Sequence, residues 1–319
     1  MPYMNSKKIK QNFRLLESSG SYDPKLEHDA CGVGLVAKIT GEATHEIVTK
    51  SLQALCNLEH RGASGADPET GDGAGILLQL PHDFLVSEGK KLDINLKTGN
   101  YGTGIVFCGN NLDQFKEIVK IFEESARNQN LKVLGWRDLP TAPNKIGKTA
   151  REVMPIIKQI FIGNNDDSNI ENLEQKLYLI RKRFEKISSE KFDKDTNQQV
   201  YVCSLSSTKI VYKGLLTSEQ VQEFYLDLQN PNLKSNFGLV HSRFSTNTLG
   251  DWKLAHPYRF VAHNGEINTV KGNRNWMSSR ESILKSSNYG ESIKDLFPVC
   301  DQNDSDTASF DNVFELLNL

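Results

Sequence analysis

Leu26–Lys38, LEHDACGVGLVAK, is the stretch on which the reading of this chain turns. A polar, charged lead-in runs into Ala30-Cys31, and from Cys31 the residues CGVGLVAKI form a glycine-punctuated apolar run with the character of a strand. A cysteine at the head of a strand has two readings. Cysteine is among the side chains most often buried, so the residue could serve packing alone. Its thiol could equally be a nucleophile, and the rest of the chain has to decide between the two.

The bulk numbers narrow the field. With 319 residues the chain is one large domain or two ordinary ones, and 38% hydrophobic residues suffice for a sizeable core. A net charge of −2 gives no electrostatic reason to propose nucleic acid or an anionic membrane as a partner. No apolar run approaches bilayer-spanning length, and the first thirty residues lack the h-region of a signal peptide. The five cysteines, at 31, 56, 108, 203 and 300, are scattered, with no CxxC pair to start a zinc or iron–sulfur site. Free thiols in a reducing cytoplasm are the expectation.

Strand-like and helical runs mix along the chain. Residues 43–59 predict a helix with Ile47, Val48, Leu52, Leu55 and Cys56 on one face. ILLQL, TGIVFC, LKVLGW and QIFIG read as strands, with a helix carrying Phe115, Ile118, Val119 and Phe122 among them. Leu173, Leu177, Ile180, Phe184 and Ile187 recur at steps of three and four, an amphipathic helix. VYVCSL and TKIVYKGLL predict an antiparallel hairpin, and SEQVQEFYLDL a helix capped by Ser218. FGLVHSRF and RFVAHNGEI predict two more strands. The mixture points to α+β, with stacked sheets and helices outside them.

Several motifs carry chemistry poorly. GDGAG at 71–75 is not GxGxxG and precedes a strand, so it reads as a backbone-permissive turn. DQNDSDTASFDN, counted from Asp301, puts Asp306 where a calcium loop requires glycine and Asn312 where it requires glutamate. His241, His256 and His263 lack the spacing of HExxH. HSRFSTNT (241–248) and AHNGEINT (262–269) are richer. Asn264-Gly265 reads either as a plain hairpin corner or as a turn aiming an amide and a backbone N–H at an oxyanion. Arg243 reads either as a surface cation or as a bidentate fork for a carboxylate.

Taken in order, CGVG at 31–34, EHRGASGADPETGDGAG, HSRFSTNT and AHNGEINTVKGN resemble the class II glutamine amidotransferase domain of glutamate synthase large subunits, a branch of the N-terminal-nucleophile hydrolases. The likeness runs from Cys31 to the end of the chain, and RGASGADPETGDGAG and AHNGEINT are its most specific parts. It implies a four-layer αββα sandwich, a propeptide at 1–30 and an amidotransferase domain at 31–319 that stops short at Leu319. It implies Cys31 as nucleophile, Asn264 and Gly265 as the oxyanion hole, and Arg243 and Asp306 as ligands of the α-carboxylate and α-ammonium of L-glutamine. HSRFSTNT has Asn247 where several class II relatives carry histidine, and LAHPYR at 254–259 stands in place of LAQPFR.

Chemistry gives the terminal cysteine a reason. A thiol with pKa about 8.5 needs a base near pH 7, and an α-amino group with pKa about 7.7–8.0 is roughly one-tenth unprotonated there. Release of Cys31 from Ala30 would create that base on the nucleophile itself. The resemblance further implies no cofactor in this chain. FMN, an iron–sulfur cluster and the synthase domains that pass ammonia to 2-oxoglutarate belong to the missing part. A small reductase subunit or ferredoxin would bring electrons there, the donor being ferredoxin, NADPH or NADH. The rival readings are the amidotransferase domain of another biosynthetic enzyme and an inactive glutamine-binding or scaffold fragment.

Overall fold

The computed structural model describes residues 32–59, 62, 67–164, 170–192, 200–243, 251–264, 267–302 and 304–319. Eight strands among them pair antiparallel throughout. They are β1 Val33–Ala37, β2 Ala74–Gln79, β3 Tyr101–Cys108, β4 Lys132–Asp138, β5 Ile157–Gly163, β6 Val200–Val202, β7 Lys209–Gly214 and β8 Phe237–Ser242. One four-stranded sheet has the order β1-β8-β2-β7 and the other β4-β5-β3-β6. The helices are α1 His45–Asn57, α2 His82–Lys90, α3 Leu112–Arg127, α4 Lys148–Glu152, α5 Leu173–Lys191, α6 Gln220–Phe224, α7 Val270–Glu281 and α8 Asp306–Asn318. None of them is long and apolar enough to cross a membrane.

Alternation along the strands builds the layers. In β3, Tyr101, Ile105 and Phe107 join the core shared with β2 and β7, whereas Val106 and Cys108 join the core beneath α3 and α5. In β5, Ile157 and Phe161 go one way and Ile160 and Ile162 the other. The outer helices meet this second sheet with Ile118, Ile121 and Phe122 of α3 and Leu177, Ile180 and Phe184 of α5. Phe122 stacks on Phe184 with ring centroids 4.0 Å apart. On the opposite side α1 packs on β1 and β8, burying Ile47, Val48, Leu52 and Leu55. The result is the expected αββα order of layers. Each large side chain so buried contributes roughly 1.5–3 kcal/mol.

Three expectations fail, each for a non-local reason. β6 and β7 are not a hairpin: β6 pairs with β3 and β7 with β2, in different sheets. Residues 203–206 stay with β3, Thr103 and Ser206 exchanging backbone bonds of 3.0 Å, before the chain crosses over. Ser218 does not cap its helix; its hydroxyl donates to Ser242 Oγ at 3.1 Å, and Glu219 stands at the helix start. Residues 259–263 are not a strand. The Asp311 carboxylate accepts the N–H groups of Phe260 and Val261, at 2.7 and 3.0 Å, which a neighbouring strand would otherwise have taken.

Candidate active site

The head of β1, the tail of β8 and the approach to β2 meet at one lip of the first sheet. Val33 lies opposite His241, and the Ser242 N–H donates to the Gly32 carbonyl at 2.8 Å. One residue on, the Arg243 N–H donates to the Gly73 carbonyl at 2.9 Å. Thus β-pairing alone delivers Arg243 and the residue that follows Cys31 to the same place. Cys31 itself, Gly265, and Asn247 lie outside the described residues.

Asn264 closes this lip. A Cβ built on Gly32 would stand 2.4 Å from the Ser242 carbonyl oxygen, 2.9 Å from Asn264 Nδ2 and 3.0 Å from its Oδ1. The carboxamide therefore rests directly on the Gly32 backbone, and only glycine leaves it room. GDGAG serves the same close packing. A Cβ on Gly73 would meet the Ala255 Cβ at 3.1 Å, and one on Gly75 would meet the His256 carbonyl oxygen at 2.6 Å. These glycines let the segment that leads to Asn264 settle on β2.

Asp306, the first residue of α8, accepts from the Ile267 N–H at 2.6 Å through Oδ2 and from the Thr307 N–H at 2.6 Å through Oδ1. Ser305 caps the helix, its Oγ accepting from the Ala308 N–H at 3.1 Å. Of the five residues expected at the site, then, the structure gathers Asn264 and Arg243 around Gly32 and ties Asp306 to the backbone three residues beyond Asn264.

Behind Asn264 lies a buried row of rings. His241 Nε2 is 3.1 Å from the His263 carbonyl oxygen, and a carbonyl only accepts, so Nε2 carries the proton. The His241 and His256 ring centroids are 4.5 Å apart, and His256 and Tyr258 are 4.7 Å apart. The Tyr258 hydroxyl meets Ser305 Oγ at 3.1 Å. Burial pushes the His241 pKa down to about 4, partly opposed by its bonds to the His263 carbonyl and the Asn264 side chain. Burial also drives His256 well below the usual histidine value, with the neighbouring His241 adding to the shift. Both rings are neutral near pH 7. Lys213, whose Nζ donates to the Lys253 carbonyl at 2.9 Å, is pushed down by burial to about 7.

The described cysteines offer no rival nucleophile. Burial raises the thiol pKa of Cys56, Cys108, Cys203 and Cys300, reaching about 12 at Cys203 and about 11 at Cys300. These four sit on α1, on β3, just after β6 and ahead of α8, and so do not form the ligand set of a cluster. Sequence reasoning weighed His241 and His256 only as metal ligands and passed over Tyr258, Arg259 and Asp311. The signal for the histidines was present in HSR and AHP, where alternation within a buried strand and a following proline turn bring two rings together.

A family model for class-II glutamine amidotransferases matches residues 31–319, and the chain belongs to that family. Similar proteins within it include glutamate synthases. The NADPH-named large chain of Bacillus subtilis is 46% identical over 301 residues, 94% of this chain and 19% of that protein. The NADH-named enzyme of Saccharomyces cerevisiae is 44% identical, with 95% of this chain and 14% of that protein covered. The ferredoxin-dependent enzyme of Antithamnion sp. is 42% identical, covering 95% and 20%. The chain thus spans a fifth or less of the curated relatives it matches. Relatives named for three different electron donors match it almost equally.

Proposed function

We propose that this chain performs the glutaminase half-reaction of glutamate synthase, hydrolysing L-glutamine to L-glutamate and ammonia. The observation that carries the reading is the Asn264 carboxamide seated on Gly32, next in sequence to Cys31. In this reading residues 1–30 are a propeptide whose removal frees the Cys31 amine. Cys31 Sγ attacks the side-chain carbonyl carbon of glutamine while the α-amine takes the thiol proton. The buried histidines do not compete for that role: His241, pushed down to about 4, is too weak a base for a thiol, and burial also drives His256 well below the usual histidine value.

Asn264 Nδ2 and the Gly265 N–H donate to the developing oxyanion. The C–N bond breaks as the amine returns its proton to the leaving nitrogen, ammonia departs, and water hydrolyses the γ-glutamyl thioester. Arg243 pairs with the α-carboxylate of glutamine. Asp306, whose two backbone bonds occupy only part of the acceptor capacity of a carboxylate, takes the α-ammonium. The reading assigns no cofactor to this chain. In the longer proteins the ammonia passes to 2-oxoglutarate in synthase domains that carry FMN and an iron–sulfur cluster, supplied with electrons by a small reductase subunit or ferredoxin. The free thiols fit a cytoplasmic site for this chemistry.

Intact mass of the purified chain tests the first step. A mass that starts at Cys31, together with glutamine hydrolysis that disappears in Cys31→Ala, is the expected outcome. Hydrolysis by a chain still carrying Met1–Ala30 would refute the α-amine mechanism.

A further inference from the structure

His241 stands at the centre of the first sheet's lip. It lies on β8 between Val33 of β1 and Gly75 of β2. Because Gly75 carries no Cβ, the His256 backbone comes down onto β2 and brings its ring against His241. The His241 ring is 1% exposed and so has one fixed environment. Its Nε2–H reaches the His263 carbonyl, the peptide group immediately before Asn264. The Asn264 side chain also interacts with this ring.

We propose that His241 is a positioning residue of the glutaminase site, its Nε2–H holding the His263 carbonyl and so fixing the backbone from which the Asn264 carboxamide presents to the oxyanion. This rests on the reading of Asn264 as an oxyanion donor. The physical logic is that a donor stabilises a developing charge only if it is aimed before the charge appears. Asn264 follows His263 on irregular backbone, and a buried ring anchored in the sheet holds that backbone in place. His241 transfers no proton in this scheme. It is a fixed neutral donor.

Glutaminase assays on the full chain carrying His241→Phe, His241→Gln or Cys31→Ala test this. Phe keeps the ring volume and removes the donor; Gln loses the ring and restores an N–H near the Nε2 position. His241→Phe is expected to lower kcat by about 10–100-fold, less than the 10²–10³ that loss of an oxyanion donor costs, because Asn264 itself remains. KM for glutamine should stay within about threefold, as for an interaction made only in the transition state. His241→Gln should recover most of the lost kcat. If Phe matches the wild type, or Gln fares no better than Phe, the ring acts through packing and the proposal falls. Hydrolysis that survives Cys31→Ala would instead overturn the underlying reading of the site. A readout that needs no variant is the ¹⁵N spectrum of the wild-type ring. Protonation at Nε2 with bare Nδ1, unchanged between pH 8 and pH 6, supports the proposal, and the opposite tautomer overturns it.

Discussion

Gly32→Ala is the sharpest probe of the site, because the structure fixes what the new methyl meets. Its Cβ would lie 2.4 Å from the Ser242 carbonyl oxygen and 2.9–3.0 Å from both polar atoms of the Asn264 amide. The Ser242 oxygen is backbone of a strand paired on both sides, so it does not yield, and the strain falls on β1 or on Asn264. Overpacking of this kind costs about 1–3 kcal/mol, about 2–4 °C of Tm per kcal/mol in a domain of 150–250 residues. Displacing one oxyanion donor costs about 10²–10³ in kcat. The expected signature is therefore a drop of several degrees with a loss of activity out of proportion to it. Gly34→Ala, two residues along the same strand, is the control. Its Cβ would meet the Val240 Cγ2 at 3.0 Å and the Leu58 Cδ1 at 3.6 Å, side-chain ends that can turn aside. It should lose stability modestly and keep near-wild-type kcat. Steady-state glutaminase kinetics and thermal melts on both variants decide the matter. If Gly32→Ala retains kcat within about threefold of Gly34→Ala, the Asn264 amide is not where the chemistry needs it.

Asp306→Asn removes the charge and leaves one acceptor oxygen where the Ile267 and Thr307 N–H groups use two, so KM for glutamine should rise by about 10–100-fold, the worth of a charged hydrogen bond of roughly 1.5–3 kcal/mol, with a stability loss of about 1–3 kcal/mol for the N–H left unpaired. An unchanged KM would release Asp306 from ammonium binding. Arg259 pairs at 2.9 Å with Glu315 and at 3.0 Å with Asp311, both buried. Arg259→Ala leaves Asp311 without its cation, while Arg181 still holds Glu315, and should cost about 3–5 kcal/mol in urea unfolding; a cost below about 1 kcal/mol would mean water reaches Asp311. His241 and His256 have folded-state pKa values below their unfolded ones, so the unfolded chain binds more protons as pH falls. Stability should decline below about pH 6.5 by up to about 1.4 kcal/mol per pH unit for each ring, through the window down to about 4 at His241. His256 is faced by His241, His263, Lys213 and Arg243, all of which disfavour its protonation. His256→Phe should therefore flatten the urea-midpoint slope between pH 6.5 and pH 5, and an unaltered slope would count against a buried neutral ring there.

What the sequence disclosed and what it hid divide along local and non-local lines. The eight strands announced themselves as apolar runs, and the faces of α1, α3 and α5 followed from helical spacing, because those signals are local. Sheet membership was not local. VYV and KIVYKG look like the arms of a hairpin, yet Thr103 captures Ser206 and parts them. The segment 259–263 has the composition of a strand, but its donors go to Asp311, some fifty residues onward, which no periodicity forecasts. At the site, motif resemblance nominated Arg243, Asn264 and Asp306, whose places the structure describes, and Cys31 and Gly265, which lie outside the described residues. His241 was visible but misfiled, since its use depends on a carbonyl twenty-two residues away.

Under the proposed reading, the irregular backbone of residues 255–264 follows from what an oxyanion site requires. A strand there would point alternate side chains to opposite faces and consume its own N–H groups in a ladder. An oxyanion site needs the reverse: backbone donors left available and an amide aimed inward. The chain meets that need by anchoring the segment through buried charge instead of sheet. Asp311 takes two backbone donors, and Arg259 donates to Glu315 Oε2 and to the Asn312 side-chain Oδ1 at 2.9 and 2.6 Å. Arg181 of α5 bonds the same Glu315 carboxylate. The geometry of Asn264 is thereby linked through α8 to a helix on the far side of the second sheet. A loosened α8 should therefore lower turnover, because the backbone leading to Asn264 is anchored to it.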